Sequence, residues 1–158
     1  MQRALQINRK IDYALRASIR LAELNDDEVM SFGEIARLET IPREFLAKIL
    51  RSMVSSGVIR SKKGSKGGYS LTRPPSEISF LDIIEAADGP VTINLCLDTE
   101  SSCPVQSNCT MMGIWAKAQD AMLEVFRDTH ISDVLRTPRI NPNDPISPIQ
   151  LPVPPCRP

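Results

Sequence analysis

"IPREFLAKILRSMVSSGVIRSKKGSKGGYSL" occupies residues 41–71, and its reading decides the fold. Phe45, Leu46, Ile49, Leu50 and Met53 recur at helical spacing. Pro42 suits the first turn of that helix, and Gly57 closes it. Residues 58–62 and 69–72 then read as two short strands. Between them, Gly64-Ser65-Lys66-Gly67-Gly68 permits the positive φ angles of a hairpin tip. A helix followed at once by a basic hairpin has the pattern of a reading helix and its wing.

Working outward, Ser31 and Glu34 form a capping box that opens a short helix with Ile35, Ala36 and Leu38 on its apolar side. A break at Glu39-Thr40-Ile41 separates it from the reading helix, which makes the pair a helix-turn-helix. Upstream, Ile11, Ala14, Leu15, Ile19 and Ala22 form one helical stripe that ends before Asn25-Asp26-Asp27. Residues 1–75 are therefore expected to be a winged-helix DNA-binding region. After Pro74-Pro75, Ser79 caps a helix with Phe80, Ile83, Ile84 and Ala87 on one face, stopped by Gly89-Pro90. A long helix follows Cys109 and runs to about Arg127, with Met112, Trp115, Met122 and Phe126 near one stripe and Ala118 and Leu123 beside it. That stripe reads as core packing against a second copy of the same helix. Residues 76–136 are thus expected to hold dimerisation helices and a cysteine loop. In residues 137–158, eight of 22 positions are proline, the composition of a flexible tail, and Cys156 reads as an incidental thiol within it. The expected fold is mainly α with a small β-hairpin wing, a winged helix-turn-helix plus a long dimerisation helix.

The net charge of zero conceals a strong asymmetry. Residues 43–73 contain eight basic side chains and one acidic one, so this segment carries +7 and the remainder −7. Such a basic face suits a phosphate partner, here a double-stranded DNA operator. Arg43, Glu44, Ala47 and Lys48 fall on the first two turns of the reading helix, the part that meets base edges. Arg43 or Lys48 would address guanine, Glu44 would accept from cytosine N4, and Arg51 would meet phosphate. Lys62, Lys63 and Lys66 of the wing would reach phosphates or a minor groove. No run of apolar residues is long enough for a membrane span, and the first residues lack a secretion signal, so a cytoplasmic protein is expected. No Ser/His/Asp arrangement, nucleotide loop or acid/base pair appears, so no enzyme is expected. The single histidine, His130, reads as a residue facing the dipole of the long helix or simply exposed.

"CLDTESSCPVQSNC", residues 96–109, holds three of the four cysteines, with gaps of six and five residues. Structural zinc uses tighter knuckles, and ferredoxin-type clusters use closer runs. Three thiols on one polar loop leave open a metal or cluster, a redox thiol switch, or plain structural cysteines.

"IDYALRASIRLA", the 41–71 stretch, "ISFLDIIEAADG" and the three spaced cysteines together resemble winged-helix iron–sulfur regulators typified by IscR, NsrR and RirA. The resemblance covers roughly residues 7 to 136. It implies a homodimeric transcriptional regulator, a repressor by expectation, whose operator binding is controlled by a cluster sensing nitric oxide, iron or redox state. It implies Cys96, Cys103 and Cys109 as cluster ligands. In the IscR branch a histidine follows the last cysteine by three residues, and here that position is Met112. In the NsrR branch an aspartate of the first helix reaches across from the other subunit, and the matching residue is Asp12. That pattern favours a 4Fe–4S cluster over 2Fe–2S. The alternative is a metal-free winged helix switched by cysteine oxidation.

Overall fold

A computed structural model describes residues 7–98, 103–104 and 108–136. Helix α1 spans Arg9–Leu21. Asn8 starts it by accepting the Ile11 N–H on Oδ1 at 2.9 Å. Its buried residues are Ile11, Ala14, Ala17, Ser18 and Leu21. This differs from the stripe expected through Leu15, Ile19 and Ala22, which are only half-buried. The helix is wedged against both the reading helix and a later helix, so the small residues Ala17 and Ser18 turn inward where backbones approach. The Ser18 hydroxyl donates to the Ala14 carbonyl at 2.9 Å, which satisfies it within the core.

Helix α2, Phe32–Leu38, carries the expected capping box. Ser31 Oγ accepts the Glu34 N–H at 3.3 Å, and Glu34 Oε2 accepts the Ser31 N–H at 2.9 Å. The Ser31 hydroxyl and, after it, the Ser31 N–H donate to the Glu34 carboxylate and hold it below its ordinary range. So short a helix buries only its middle, Ile35 and Ala36. Leu38, expected beside them, is 40% exposed.

Helix α3, Arg43–Ser55, buries Leu46, Ile49, Leu50 and Met53. Phe45 departs from that expectation and is 47% exposed. It sits one residue, about 100°, around the helix from Leu46, and it meets Tyr13 of α1 edge-on with centroids 6.3 Å apart. Gly57 takes φ +79°, and the next N–H, of Val58, returns to the Met53 carbonyl at 3.1 Å. That is the left-handed turn by which a glycine ends a helix.

Strands β1, Ile59–Lys62, and β2, Gly68–Leu71, pair antiparallel, with Ile59 opposite Leu71 and Lys62 opposite Gly68. Tyr69 also exchanges two backbone bonds with Met30, at 3.0 and 2.9 Å, which ties the wing to the residue before α2's cap. A Cβ at Gly68 would lie 2.4 Å from the Met30 carbonyl oxygen, so this rung requires glycine.

Helix α4, Phe80–Asp88, starts from a second capping box between Ser79 and Asp82. Ile78, Ile83, Ala86 and Ala87 join Ala14, Leu46, Ile59 and Ile131 in one buried cluster. Helices α5, Met112–Asp128, and α6, Ile131–Arg136, follow. His130 bridges Ser79, and the Ile131 N–H donates to the Ile78 carbonyl at 3.0 Å, so α6 folds back onto the core. The His130 N–H is accepted by the Asp133 carboxylate at 2.9 Å, and the residue is half-buried.

Helix α5 buries no residue. Met112, Trp115, Met122, Leu123 and Phe126 are half-buried, with Met122 and Phe126 beside Ile11, Ile84 and Ile93. The stripe assigned to a second copy is therefore covered in part by this chain itself. A different set, Met111, Ile114, Ala118, Ala121 and Val125, is exposed at alternating spacings of three and four. Among the described residues no helix is long and apolar enough to cross a membrane.

Candidate nucleic-acid interface and cysteine site

Because α3 buries Leu46, Ile49, Leu50 and Met53, its opposite side presents Arg43, Glu44, Ala47, Lys48 and Arg51 to solvent. Lys62, Lys63 and Lys66 of the wing are exposed as well. The hairpin's period of two then sorts the remaining basic residues. Ser61 and Tyr69 face a cleft shared with Phe32, Ala47 and Arg51. Arg60 and Ser70 face the other way, toward the end of α1. There Arg60 donates to Ser70 Oγ at 2.9 Å and to the Asp26 carbonyl at 3.4 Å. Arg73 is likewise engaged, with the Glu77 carbonyl at 2.9 Å and Asp82 at 3.4 Å. The basic segment is thus divided. Arg43, Lys48, Arg51, Lys62, Lys63 and Lys66 form no ion pair among the described residues. Arg43, the first residue of α3, lies over the Phe32 ring, 4.8 Å from its centroid.

The turn between α2 and α3 is held by groups the sequence reading did not single out. Glu39, with its side chain only 13% exposed, accepts from Arg20 Nε at 2.7 Å and Arg16 Nε at 3.3 Å. Arg16 also donates to the Glu39 carbonyl. The hydrogen bond to Glu39 keeps the Arg20 guanidinium more firmly protonated than usual. Next to it, Thr40 has φ +53°, a strained angle for a β-branched residue. The available signal was two arginines at i and i+4 on α1, a spacing that puts both on one helix face. Asp12, one turn before Arg16, has a side chain 54% exposed and stands 3.6 Å from Arg16 Nη1.

Cys96 lies in a 3₁₀ turn, Leu95–Leu97, and Cys103 and Cys109 lie on the chain that leads into α5. All three are free thiols and half-buried. Among the described residues no three His, Cys, Asp or Glu side chains stand close enough to hold a metal ion. Residues 99–102 and 105–107, between the cysteines, lie outside the described residues, as do the proline-rich tail and Cys156. In donor chemistry the three uncommitted thiols fit an iron–sulfur cluster, since soft thiolates favour such iron. Met112, three residues after Cys109, offers only a thioether.

A helix-turn-helix with an unpaired basic face and a wing is a DNA-binding arrangement. The profile of Rrf2, described as an iron-dependent transcriptional regulator, matches residues 7–137. This chain belongs to the Rrf2 family. It is 34% identical over 127 residues to an HTH-type transcriptional regulator of Aquifex aeolicus, covering 79% of this chain and 88% of that one. It is 26% identical over 133 residues to the regulator NsrR of Oceanobacillus iheyensis, covering 84% and 90%. The solved structure of CymR, the global cysteine regulator of B. subtilis, superposes with a TM-score of 0.66 at 27% identity, covering 83% and 96%. The Rrf2 assignment makes the chain a DNA-binding transcriptional regulator and not an enzyme, and the winged-helix reading holds.

Proposed function

We propose that this Rrf2 regulator is a homodimeric cytoplasmic repressor whose operator binding is controlled by an iron–sulfur cluster. Cys96, Cys103 and Cys109 would hold the cluster, with Asp12 of the partner subunit as fourth ligand and four irons preferred to two. The observation that carries this is three free, half-buried thiols within 14 residues of a chain whose Asp12 is exposed on the first turn of α1. When bound, such a cluster supplies redox and ligand-exchange chemistry at iron. A carboxylate is a harder ligand than a fourth thiolate, so Asp12 would be the most exchangeable of the four. Its nearest cation is Arg16, whose guanidinium also grips Glu39 in front of α3. Release of Asp12 would change the competition for Arg16 and so the hold on the reading helix.

On the DNA side, Arg43, Glu44 and Lys48 would meet base edges, with Arg51, Lys62, Lys63 and Lys66 on phosphates or the minor groove. The exposed seam of Met111, Ile114, Ala118, Ala121 and Val125 supports dimerisation through α5, since its spacing is that of a coiled-coil a/d stripe. Anaerobic purification with iron, sulfide and visible absorption, on wild type and Asp12→Ala, tests the reading. A brown wild type whose absorption changes or disappears in Asp12→Ala is expected. A colourless, iron-free protein after reconstitution would sink it.

The second reading, a metal-free thiol switch, is supported by the same three free, half-buried thiols, which need no metal to be oxidised. It predicts DNA binding that responds to peroxide and reverses with thiol reductant, in protein that never takes up iron.

A further inference from the structure

We infer that Phe32 is a positioning residue for sequence reading: it holds Arg43 in one orientation and thereby sets how sharply the protein selects guanine at one base pair of each half-site. The inference rests on α3 being the reading helix. An arginine on an exposed helix start is otherwise free to wander among many rotamers. Here the Arg43 guanidinium lies over an aromatic face, 4.8 Å from the ring centroid. The ring itself is anchored. Phe32 is half-buried, packs against the buried cluster, and is the first residue of a helix fixed by the Ser31–Glu34 capping box.

The surroundings leave room for this pose. A Cβ at Gly33 would stand 3.9 Å from Arg43 Nη1, so the guanidinium passes close to the α2 backbone without crowding. Arg43 makes no hydrogen bond or ion pair among the described residues, so its N–H edges are available to a ligand. A guanidinium steered by a ring face offers those edges as a fixed fork, the geometry that matches guanine O6 and N7. Lys48, five residues on and about 140° around α3, is exposed too but touches no ring and presents a point charge. Of these two cations, Arg43 is the one whose direction a ring face sets.

The test is in vitro selection from a random duplex library with the full chain purified anaerobically, followed by titrations of the selected duplex and its single-base variants. Phe32→Leu is expected to lower the preference for guanine at one base pair roughly two- to fivefold, the range of an exposed cation–π contact. The salt dependence of binding should not move, because no phosphate contact is lost. Phe32→Tyr should retain the preference. Arg43→Ala should abolish it and make Phe32→Leu silent in the double variant. Should Phe32→Leu fail to fold, Arg43→Lys, which keeps charge but loses the planar fork, is expected to show the same loss at the same pair. A uniform drop across all positions, or an effect of Phe32→Leu that persists without Arg43, would overturn the inference. A wild type that enriches no sequence would overturn the reading-helix assignment and the inference with it.

Discussion

The winged-helix half and helix α5 differ in how completely they are finished. In the first, Leu46, Ile49, Leu50 and Met53 are each 1% exposed or less, and the Ser31–Glu34 capping box closes. In the second, 17 helical residues bury none, and Ile114 is 68% exposed. The winged half has its partners within one chain. Helix α5 carries an exposed apolar seam among the described residues, the kind of surface on which the proposed dimer would close.

The contrast is broken most forcefully in the core. Leu46→Ala should cost about 3 kcal/mol of stability, through lost transfer energy plus a cavity. A chemical-denaturation midpoint close to wild type would mean the winged half is not the stable unit. Glu39→Gln comes next, at about 1.5 kcal/mol, because two arginines lose charge-assisted bonds. Its DNA affinity should fall further than Leu46→Ala does at matched folded fraction, since the turn before α3 is loosened. A smaller change of opposite sign is expected at Thr40. Asn tolerates φ +53° better than threonine, so Thr40→Asn should gain about 0.5–1 kcal/mol.

The link between the two ends of α1 and α4 is weaker still. Asp88 accepts from Lys10 at 2.9 Å and Asn8 at 2.6 Å, and the Lys10 bond, then Asn8, holds its carboxyl below the ordinary range. A depressed carboxyl stabilises above its unfolded value and loses that contribution as pH falls below about 4. With the Asp88 side chain 37% exposed, solvent screening limits the pair to about 0.5 kcal/mol. Asp88→Asn should therefore narrow the gap in melting temperature between pH 7 and pH 3. The smallest effect on stability sharpens the contrast best. Ile114→Glu should change the unfolding free energy of the chain diluted to monomer by less than about 0.5 kcal/mol. Yet it should shift sedimentation from dimer to monomer, and an unchanged dimer would place the interface elsewhere.

Much of this was legible in order along the chain. The capping box at Ser31, the cap at Ser79, the glycine that ends α3, and the hairpin tip are local rules, satisfied within four or five residues. Such features need no knowledge of the remainder of the fold. The facing of helices was less legible. Phe45 and Leu38 fit an apolar period but stand exposed, whereas Ala17 and Ser18 turn inward because α1 touches two helices at once. Periodicity reports that a helix has an apolar side; it does not report how wide the neighbour is.

By itself, then, the sequence determined the element order, the caps, the basic reading helix and wing, and three thiols set close along the chain. Only the tertiary structure decided which charges face outward together. It turned Arg60 and Arg73 away from the wing's outer face, and brought Arg16 and Arg20 onto Glu39 across about 20 residues of chain. It also placed Arg43 over Phe32 and separated the covered stripe of α5 from its open seam. The physical reason is the same in each case. Local structure follows from hydrogen bonds between near neighbours, whereas the direction of a side chain is settled by whichever distant element packs against it.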